Sequence, residues 1–165
     1  MAQARLVLSD SSPLIGLASA GGFELLRRLF GTVTITPQVR SEVLVDGSRP
    51  GAPDLAAALR ARWIKVLRRE WDTPQFLKLG AGEASILRAA ANLRGDRLLL
   101  LDDDAARREA VRGGLVVTGT LGILVVAKRR ALIGAVRPYF DRLAEHGFHF
   151  SADLARSLLR EAGEQ

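Results

Sequence analysis

The feature that most constrains the fold is the strand-like run RLLLL at residues 97–101, in which four leucines follow Arg97 and end abruptly in three aspartates. A strand that is apolar at every position, and not only at alternate ones, is typical of a parallel sheet covered on both faces. We therefore expect this segment to be a strand buried between two layers of helices.

Segments that resemble strands and helices alternate along the chain. Aliphatic and β-branched runs predict further strands at residues 5–9, 32–36, 63–67 and 115–118. Helical patterns occupy residues 13–29 with a break at Gly21-Gly22, 37–46, 54–61, 82–94, 104–112, 119–129, 131–145 and 151–162. This order predicts a three-layer α/β/α fold with a mostly parallel central sheet, and a length of 165 residues suits one domain over residues 1–165.

Composition excludes several classes of protein. No uncharged apolar run is long enough for a membrane span, the N-terminus lacks the features of a signal peptide, and the absence of cysteine excludes disulfide scaffolds and thiolate zinc sites. A cytoplasmic protein is therefore expected. The net charge of +6 favours a phosphate-rich partner, although a codon usage rich in arginine explains this charge equally well.

Carboxylates gather where the predicted strands end. Asp10 follows the first strand, and Asp102, Asp103 and Asp104 follow the apolar run. Because ligands of open parallel sheets bind at the carboxyl ends of the strands, these acids are expected at one edge of the sheet. A helix cap explains one aspartate, but three in a row create a repulsion that a bound cation would relieve.

Two glutamates on predicted helices also indicate a site for a cation. Glu42 lies between Val39 and Val45 on a helical wheel, and Glu83 lies in the middle of the apolar stripe of its helix. A buried carboxylate is costly unless it is paired or bound to a metal. The simpler alternatives are a boundary position for Glu42 and a first-turn position for Glu83 that reaches solvent.

This acidic set contains only oxygen ligands, which favours Mg²⁺ or Mn²⁺ over zinc. Such ions activate water and stabilise in-line attack on a phosphodiester. The histidines His146 and His149 lie late in the chain and are expected to be ordinary surface or core residues. The sequence contains no GxxxxGK[ST] and no GxSxG motif, which argues against a nucleotide-binding P-loop and an α/β-hydrolase.

Five segments together carry a family resemblance: LSDSSPLIGLA, ITPQVRSEV, LGAGEASIL, LLLLDDDAAR and VTGTLGILVVAKRRALI. In this order they resemble PIN-domain proteins, and most closely a prokaryotic PIN-like subgroup formerly of unknown function. The resemblance covers nearly the whole chain. It implies an α/β/α nuclease of the VapC type, a Mg²⁺- or Mn²⁺-dependent endoribonuclease that is often the toxin of a type II toxin–antitoxin pair.

The resemblance also implies the residues of the site. The catalytic set is Asp10, Glu42, Glu83 and Asp103, and the metal ligands are Asp10, Glu83, Asp102 and Asp103, with Asp103 favoured over its neighbours by spacing. The hydroxyls of Ser11, Ser12 and Thr118 are supporting candidates, although Thr118 and Thr120 also suit helix caps. Arg107, Arg108 and Arg112 are candidate contacts to the RNA backbone, or else a solvated helix face.

Two other functions stay open at this point. One is a PIN-like module that binds RNA or protein but has lost catalysis. The other is a phosphatase or receiver-like protein with an aspartate nucleophile, although Lys128 lies a helix away from the last strand, where a receiver needs its lysine. The partners that the resemblance implies are RNA, a small antitoxin and a second copy of the chain. Residues 13–29 are the candidate dimer surface, and no membrane contact is expected.

Overall fold

The computed structural model describes residues 4–165, in which a five-stranded sheet is covered by helices. The strands are β1 (Leu6–Ser9), β2 (Val33–Ile35), β3 (Ile64–Val66), β4 (Arg97–Leu100) and β5 (Val116–Thr118). The helices are α1 (Ser11–Ser19), α2 (Glu24–Phe30), α3 (Pro37–Leu44), α4 (Ala52–Arg60), α5 (Ala81–Asn92), α6 (Asp104–Arg112), α7 (Thr120–Arg129), α8 (Arg137–Glu145) and α9 (Ala152–Glu161). None of the helices in this range is long and apolar enough to cross a bilayer.

All neighbouring strands are parallel, in the order β3-β2-β1-β4-β5. The chain steps one way from β1 to β3 and the other way from β4 to β5. Because crossovers between parallel strands are right-handed, the two halves place their connecting helices on opposite faces of the sheet. The predicted α/β/α fold with a parallel central sheet is confirmed.

The two neighbouring strands β1 and β4 form the most deeply buried part of the core. Leu8 of β1 and Leu99 and Leu100 of β4 have no exposed surface. This burial is the reason why residues 98–101 are leucine at every position, since their side chains meet helices above and below the sheet, whereas Arg97 at the start of β4 is half-buried.

One predicted helix is wrong at its start. The pattern predicts a helix over residues 131–145, but α8 begins at Arg137. Pro138 lies in its first turn, where the missing N–H costs nothing, whereas a helix from residue 131 would place this proline in its interior. The predicted break at Gly21-Gly22 is present, since α1 ends at Ser19 and α2 begins at Glu24.

The apolar residues of segment 13–29 pack inside the chain itself. Leu14, Leu17 and Leu26 are fully buried in the main core, and α1 contacts α3, α7 and α8. Most of the apolar area that suggested a dimer surface is therefore used within the chain, with Ile15 and Ala18 half-buried, and the role of this segment as a dimer surface stays a prediction.

Candidate active site

The carboxyl ends of β1 and β4 meet where the strand order reverses. Ser9 pairs with Leu100, and the Asp10 amide donates to the Leu100 carbonyl at 3.1 Å. Asp10 therefore leaves β1 beside the point where Asp102 leaves β4. Such a switch point is where ligands bind in open parallel sheets.

Asp10 and Glu42 face each other across Ser11 and Gly82. The Ser11 hydroxyl donates to Glu42 Oε2 at 2.8 Å and lies 3.4 Å from Asp10 Oδ1. A methyl carbon placed on Gly82 would lie 2.5 Å from Glu42 Oε2 and 2.7 Å from Asp10 Oδ1. Glycine at the start of α5 is therefore what allows the two carboxylates to approach one point.

Glu42 is half-buried, as the sequence predicts, but only one of the two expected valines encloses it. Val39 is fully buried, whereas Val45 is 73% exposed because α3 ends at Leu44 and the helical wheel does not extend to it. The Gln38 side-chain amide donates to Glu42 Oε1 at 3.2 Å. Glu42 is thus held by polar partners on both of its oxygens.

The Asp10 side chain sits in an environment that disfavours its charge. Asp10 is 1% exposed. Burial raises the pKa of Asp10 from 3.8 to about 7, and the negative charges of Glu83, Glu42 and Asp102 add to the rise, while the Ser11 amide opposes it. Among these carboxylates Glu83, half-buried in the first turn of α5, has the largest effect on Asp10. A cation at this edge would remove the cost of ionising Asp10.

We expect the ion-free protein to lose stability as the pH rises from about 4 to about 7. The folded state holds the Asp10 proton more tightly than the unfolded chain does, so folding is favoured most where that proton is still bound and the advantage disappears through this range. The loss from this group is on the order of a few kcal/mol. Urea unfolding in EDTA at several pH values measures it. If Asp10→Asn shows the same pH dependence as the native chain, the raised pKa of Asp10 is contradicted.

Asp102 is fixed by the start of α7. The Thr120 amide donates to Asp102 Oδ1 and the Thr120 hydroxyl to Asp102 Oδ2, both at 2.7 Å. Burial raises the pKa of Asp102, while these two bonds and the Arg107 guanidinium oppose the rise. The sequence favours a cap role for Thr120, and in the structure Thr120 is fully buried and also orients this carboxylate.

Asp103 and Asp104 are placed differently. Asp103 is exposed and is the N-cap of α6, where its Oδ1 accepts from the Ala106 amide at 2.8 Å. Asp104 is the exposed first residue of that helix. Spacing favoured Asp103 as the ligand, but the carboxylate that acts on Asp10 across the strand ends is Asp102.

A cleft of about 920 Å³ opens over this edge of the sheet. Its lining includes the candidate site residues Ser12, Glu83, Asp102, Asp103, Asp104, Arg107 and Thr118. The C-terminal part of the chain contributes Phe148, His149, Phe150, Ser151, Leu154 and Leu158 to the same cleft. His149 therefore shares a cleft with the carboxylates, although the sequence predicts an ordinary surface or core residue at this position.

The three arginines of α6 lie at increasing distance from the carboxylates along the chain. Arg107 lines the cleft, and its Nη1 donates to the Leu101 carbonyl at 3.1 Å. Arg108 and Arg112 are exposed, and Arg112 pairs with Glu109 at 2.7 Å. This face of α6 is thus basic and accessible next to the cleft.

The donor set fits a hard cation that keeps part of its water shell. Within residues 4–165 no three carboxylate, histidine or cysteine side chains converge closely enough to form a complete ligand group. Mg²⁺ commonly retains several waters and uses one or two carboxylates. The Asp10–Glu42 pair around Gly82, with Glu83 and Asp102 as neighbouring charges, meets that requirement.

Comparisons with known proteins agree with this architecture. The family described as DUF3368: PIN domain matches residues 6–164. A solved structure of a PilT N-terminus domain protein from the hyperthermophilic archaeon Sulfolobus solfataricus P2 is 18% identical, with a TM-score of 0.55, over 74% of this chain and 92% of that chain. At this identity the likeness shows a shared fold. No curated protein sequence matches the chain significantly.

PIN domains are generally nucleases, and they usually depend on divalent metal ions. The family match begins at the first residue of β1 and extends beyond the end of α9, so it includes every strand and helix described above. The resemblance carried by the five sequence segments is thereby confirmed, and the chain belongs to the PIN-domain family.

Proposed function

We propose that this PIN domain is an endoribonuclease that requires Mg²⁺ or Mn²⁺. The observation that carries the proposal is the approach of the Asp10 and Glu42 carboxylates around Gly82, at the switch point that Asp102 also reaches. Membership of a family of nucleases supports the same reaction class. When bound, a divalent cation supplies charge neutralisation and Lewis-acid polarisation of the phosphodiester.

Some residues of the site would bind the cation, and others orient the carboxylates that bind it. Asp10 and Glu42 would bind the cation, with Asp102 as the third negative group. The Ser11 hydroxyl fixes Glu42, and Thr120 fixes Asp102 with two hydrogen bonds. Such supporting bonds orient ligands and typically affect metal binding or activity by about 10- to 100-fold when they are removed.

Glu83 is positioned to contact the substrate. It lines the cleft, whereas Glu42 is not among the residues that line the cleft and is bound on both oxygens by Ser11 and Gln38. We assign Glu83 the task of accepting a hydrogen bond from the attacking water. Ser12, Thr118 and Arg107 line the same cleft and are placed to donate to phosphate oxygens.

The biological setting is a further part of the proposal. A toxin role in the cytoplasm, opposed by a small antitoxin, is supported by the likeness of the sequence to VapC-type proteins. Controlled expression tests it, because a ribonuclease toxin arrests growth and the product of the adjacent gene restores it. Growth that continues despite expression of folded, active protein contradicts the toxin role. Sedimentation of the purified chain tests the proposed homodimer.

Cleavage of end-labelled RNA tests the reaction itself. We expect cleavage by the native chain in Mg²⁺ or Mn²⁺ and none in EDTA. Absence of cleavage by folded protein with several RNAs and either ion favours the alternative of a PIN-like binding module.

The receiver-like alternative disagrees with the strand order β3-β2-β1-β4-β5, since receiver-type folds have the order 2-1-3-4-5.

The neighbouring aspartates Asp102 and Asp103 form a matched pair for substitution. We expect Asp102→Asn to lower the cleavage rate by about 100-fold, because the oriented charge next to Asp10 is lost. Asp103→Asn is expected to change the rate by no more than about threefold, because asparagine is as good an N-cap as aspartate. Single-turnover cleavage of the same RNA measures both. A larger loss for Asp103→Asn than for Asp102→Asn reverses the assignment.

A further inference from the structure

Three consecutive residues of the C-terminal part, Phe148, His149 and Phe150, form one side of the active-site cleft. We call these residues the aromatic wall. Nothing in the proposed chemistry uses them, since water, cation and phosphate involve the carboxylates and hydroxyls on the other side. The wall nevertheless shares a single cleft of about 920 Å³ with Glu83 and Asp102.

The aromatic wall lies close to the residue that orients Asp102. A methyl carbon placed on Gly16 of α1 would lie 3.0 Å from Phe148 Cε2 and 3.4 Å from Thr120 Cγ2. Phe148 and Thr120 thus pack over the same glycine. This packing anchors the wall next to the residue that holds the Asp102 carboxylate, and Asp102 lines the same cleft as the wall.

Packing fixes the wall before any ligand arrives. The ring centroids of Phe148 and Phe150 are 6.4 Å apart, and Phe150 lies 5.7 Å from Phe140 of α8. On the far side of α9, Glu164 accepts from Lys128 Nζ at 2.8 Å and from the Val136 amide at 2.6 Å. These contacts hold the C-terminal part against α7 and α8. The position of the aromatic wall is therefore fixed by ring packing and by these hydrogen bonds.

The surface that the wall presents is aromatic and partly accessible. Phe148 and Phe150 are half-buried with their rings tilted by 47° to each other, whereas His149 between them in the chain is exposed. Leu154 is 46% exposed and lines the same cleft. An exposed imidazole ring in a cleft that is also lined by aromatic and aliphatic side chains is a group on which a planar ring can stack.

The cleft therefore combines two chemistries that a nucleotide also combines. A planar base suits the aromatic wall, and the adjacent phosphodiester suits the opposite side with its carboxylates, Arg107 and hydroxyls. The basic face of α6, with Arg108 and Arg112 exposed, continues from the cleft and matches a polyanionic backbone. A base that is paired and stacked in a duplex has no free face for such a wall.

We propose that the aromatic wall is a stacking subsite for one unpaired nucleobase next to the phosphodiester that is cut. This inference rests on the proposed ribonuclease function and specifies its substrate as a strand that is unpaired at that position. His149 supplies the exposed ring, while Phe148 and Phe150 support it. Stacking of a base on an aromatic side chain typically stabilises binding by about 1–3 kcal/mol.

The test compares His149→Ala with His146→Ala in the full chain. Both histidines are exposed, but His146 bonds the Arg142 carbonyl and does not line the cleft. The probe is a single-stranded RNA that carries 2-aminopurine, whose fluorescence falls on stacking, at one position at a time. Binding is measured in the Asp10→Asn background so that the RNA stays intact, and Phe150→Leu is a second wall variant.

We expect His149→Ala to weaken binding by at least about fivefold and to abolish the fluorescence loss at one position, while His146→Ala changes neither. With an RNA that lacks the base at that position, His149→Ala should bind as tightly as the unchanged wall. Equal affinities of His149→Ala and His146→Ala, or an effect that persists without the base, overturn the subsite. A wall that serves a protein partner gives the first of these results.

The outcomes separate this inference from the proposed function. If the native chain cuts RNA but the wall variants bind and cut it equally well, the subsite is wrong and the ribonuclease stands. If the fluorescence signal depends on His149 but no RNA is ever cut, stacking of a base on the wall stands, whereas the ribonuclease, and with it a cut phosphodiester beside that base, is wrong. Thermal unfolding of each variant shows that the compared proteins are folded.

Discussion

Replacing Asp10 with asparagine is expected to lower metal-dependent RNA cleavage by at least about 100-fold and yet to stabilise the ion-free protein. Cleavage is lost because Asp10 is the most buried of the acidic residues and lies at the switch point of the sheet. Stability is gained because asparagine has nearly the same shape without the charge, which the burial and the neighbouring Glu83 disfavour. At about pH 8 the gain should be on the order of 1–3 kcal/mol.

Urea unfolding with and without Mg²⁺ separates the two effects. Mg²⁺ should stabilise the native chain by mass action and leave Asp10→Asn unchanged. Asp141→Asn, at an exposed position of α8, is the control and should alter neither stability nor cleavage. Cleavage by Asp10→Asn at the native rate, or a less stable variant in EDTA, contradicts the proposed role of Asp10.

Replacing Gly82 with alanine is expected to damage the active site although it is a small change. Within a helix such as α5, alanine is normally better than glycine by roughly 0.5–1 kcal/mol. Here the added carbon would lie 2.5 Å from Glu42 Oε2 and 2.7 Å from Asp10 Oδ1, which forces the two carboxylates apart. We expect cleavage to fall by about 100-fold or more, with helical content unchanged and no gain in stability.

Gly134→Ala is the matched control, because a methyl carbon there meets no atom within 4 Å. It should cut RNA at the native rate. Titration with Mn²⁺ should show weaker binding for Gly82→Ala but not for Gly134→Ala. If Gly82→Ala cuts RNA as the native chain does, the approach of Asp10 and Glu42 around this glycine is not what builds the site.

Local patterns predict this fold well because the sheet is buried on both faces. The four leucines at residues 98–101 follow one another with no polar residue between them, and their burial follows directly from that. The error in α8 arises because apolar periodicity continues across residues 131–136, although Pro138 requires the helix to start just before it. Glu42 shows the same limit, since a helical wheel cannot tell that α3 ends before Val45.

The site is predictable only as far as single segments determine it. Asp10, Glu42 and Glu83 each follow from their position on one strand or helix. The choice among Asp102, Asp103 and Asp104 depends on Thr120, which lies 18 residues beyond Asp102 and takes both of its oxygens. The place of His149 depends on how α8 packs against α1 and α9 against α7, and the need for glycine at position 82 depends on two carboxylates from other segments.

The most direct test is the location of a bound ion. Crystals soaked in Mn²⁺ should show one anomalous peak within about 2.5 Å of a carboxylate oxygen of Asp10, on the side that faces Glu42 and Asp102. The same soak of Asp10→Asn crystals should show no peak there. A Mn²⁺ ion bound elsewhere, with the switch point of the sheet empty at saturating concentration, would contradict a metal-dependent nuclease site built on these carboxylates.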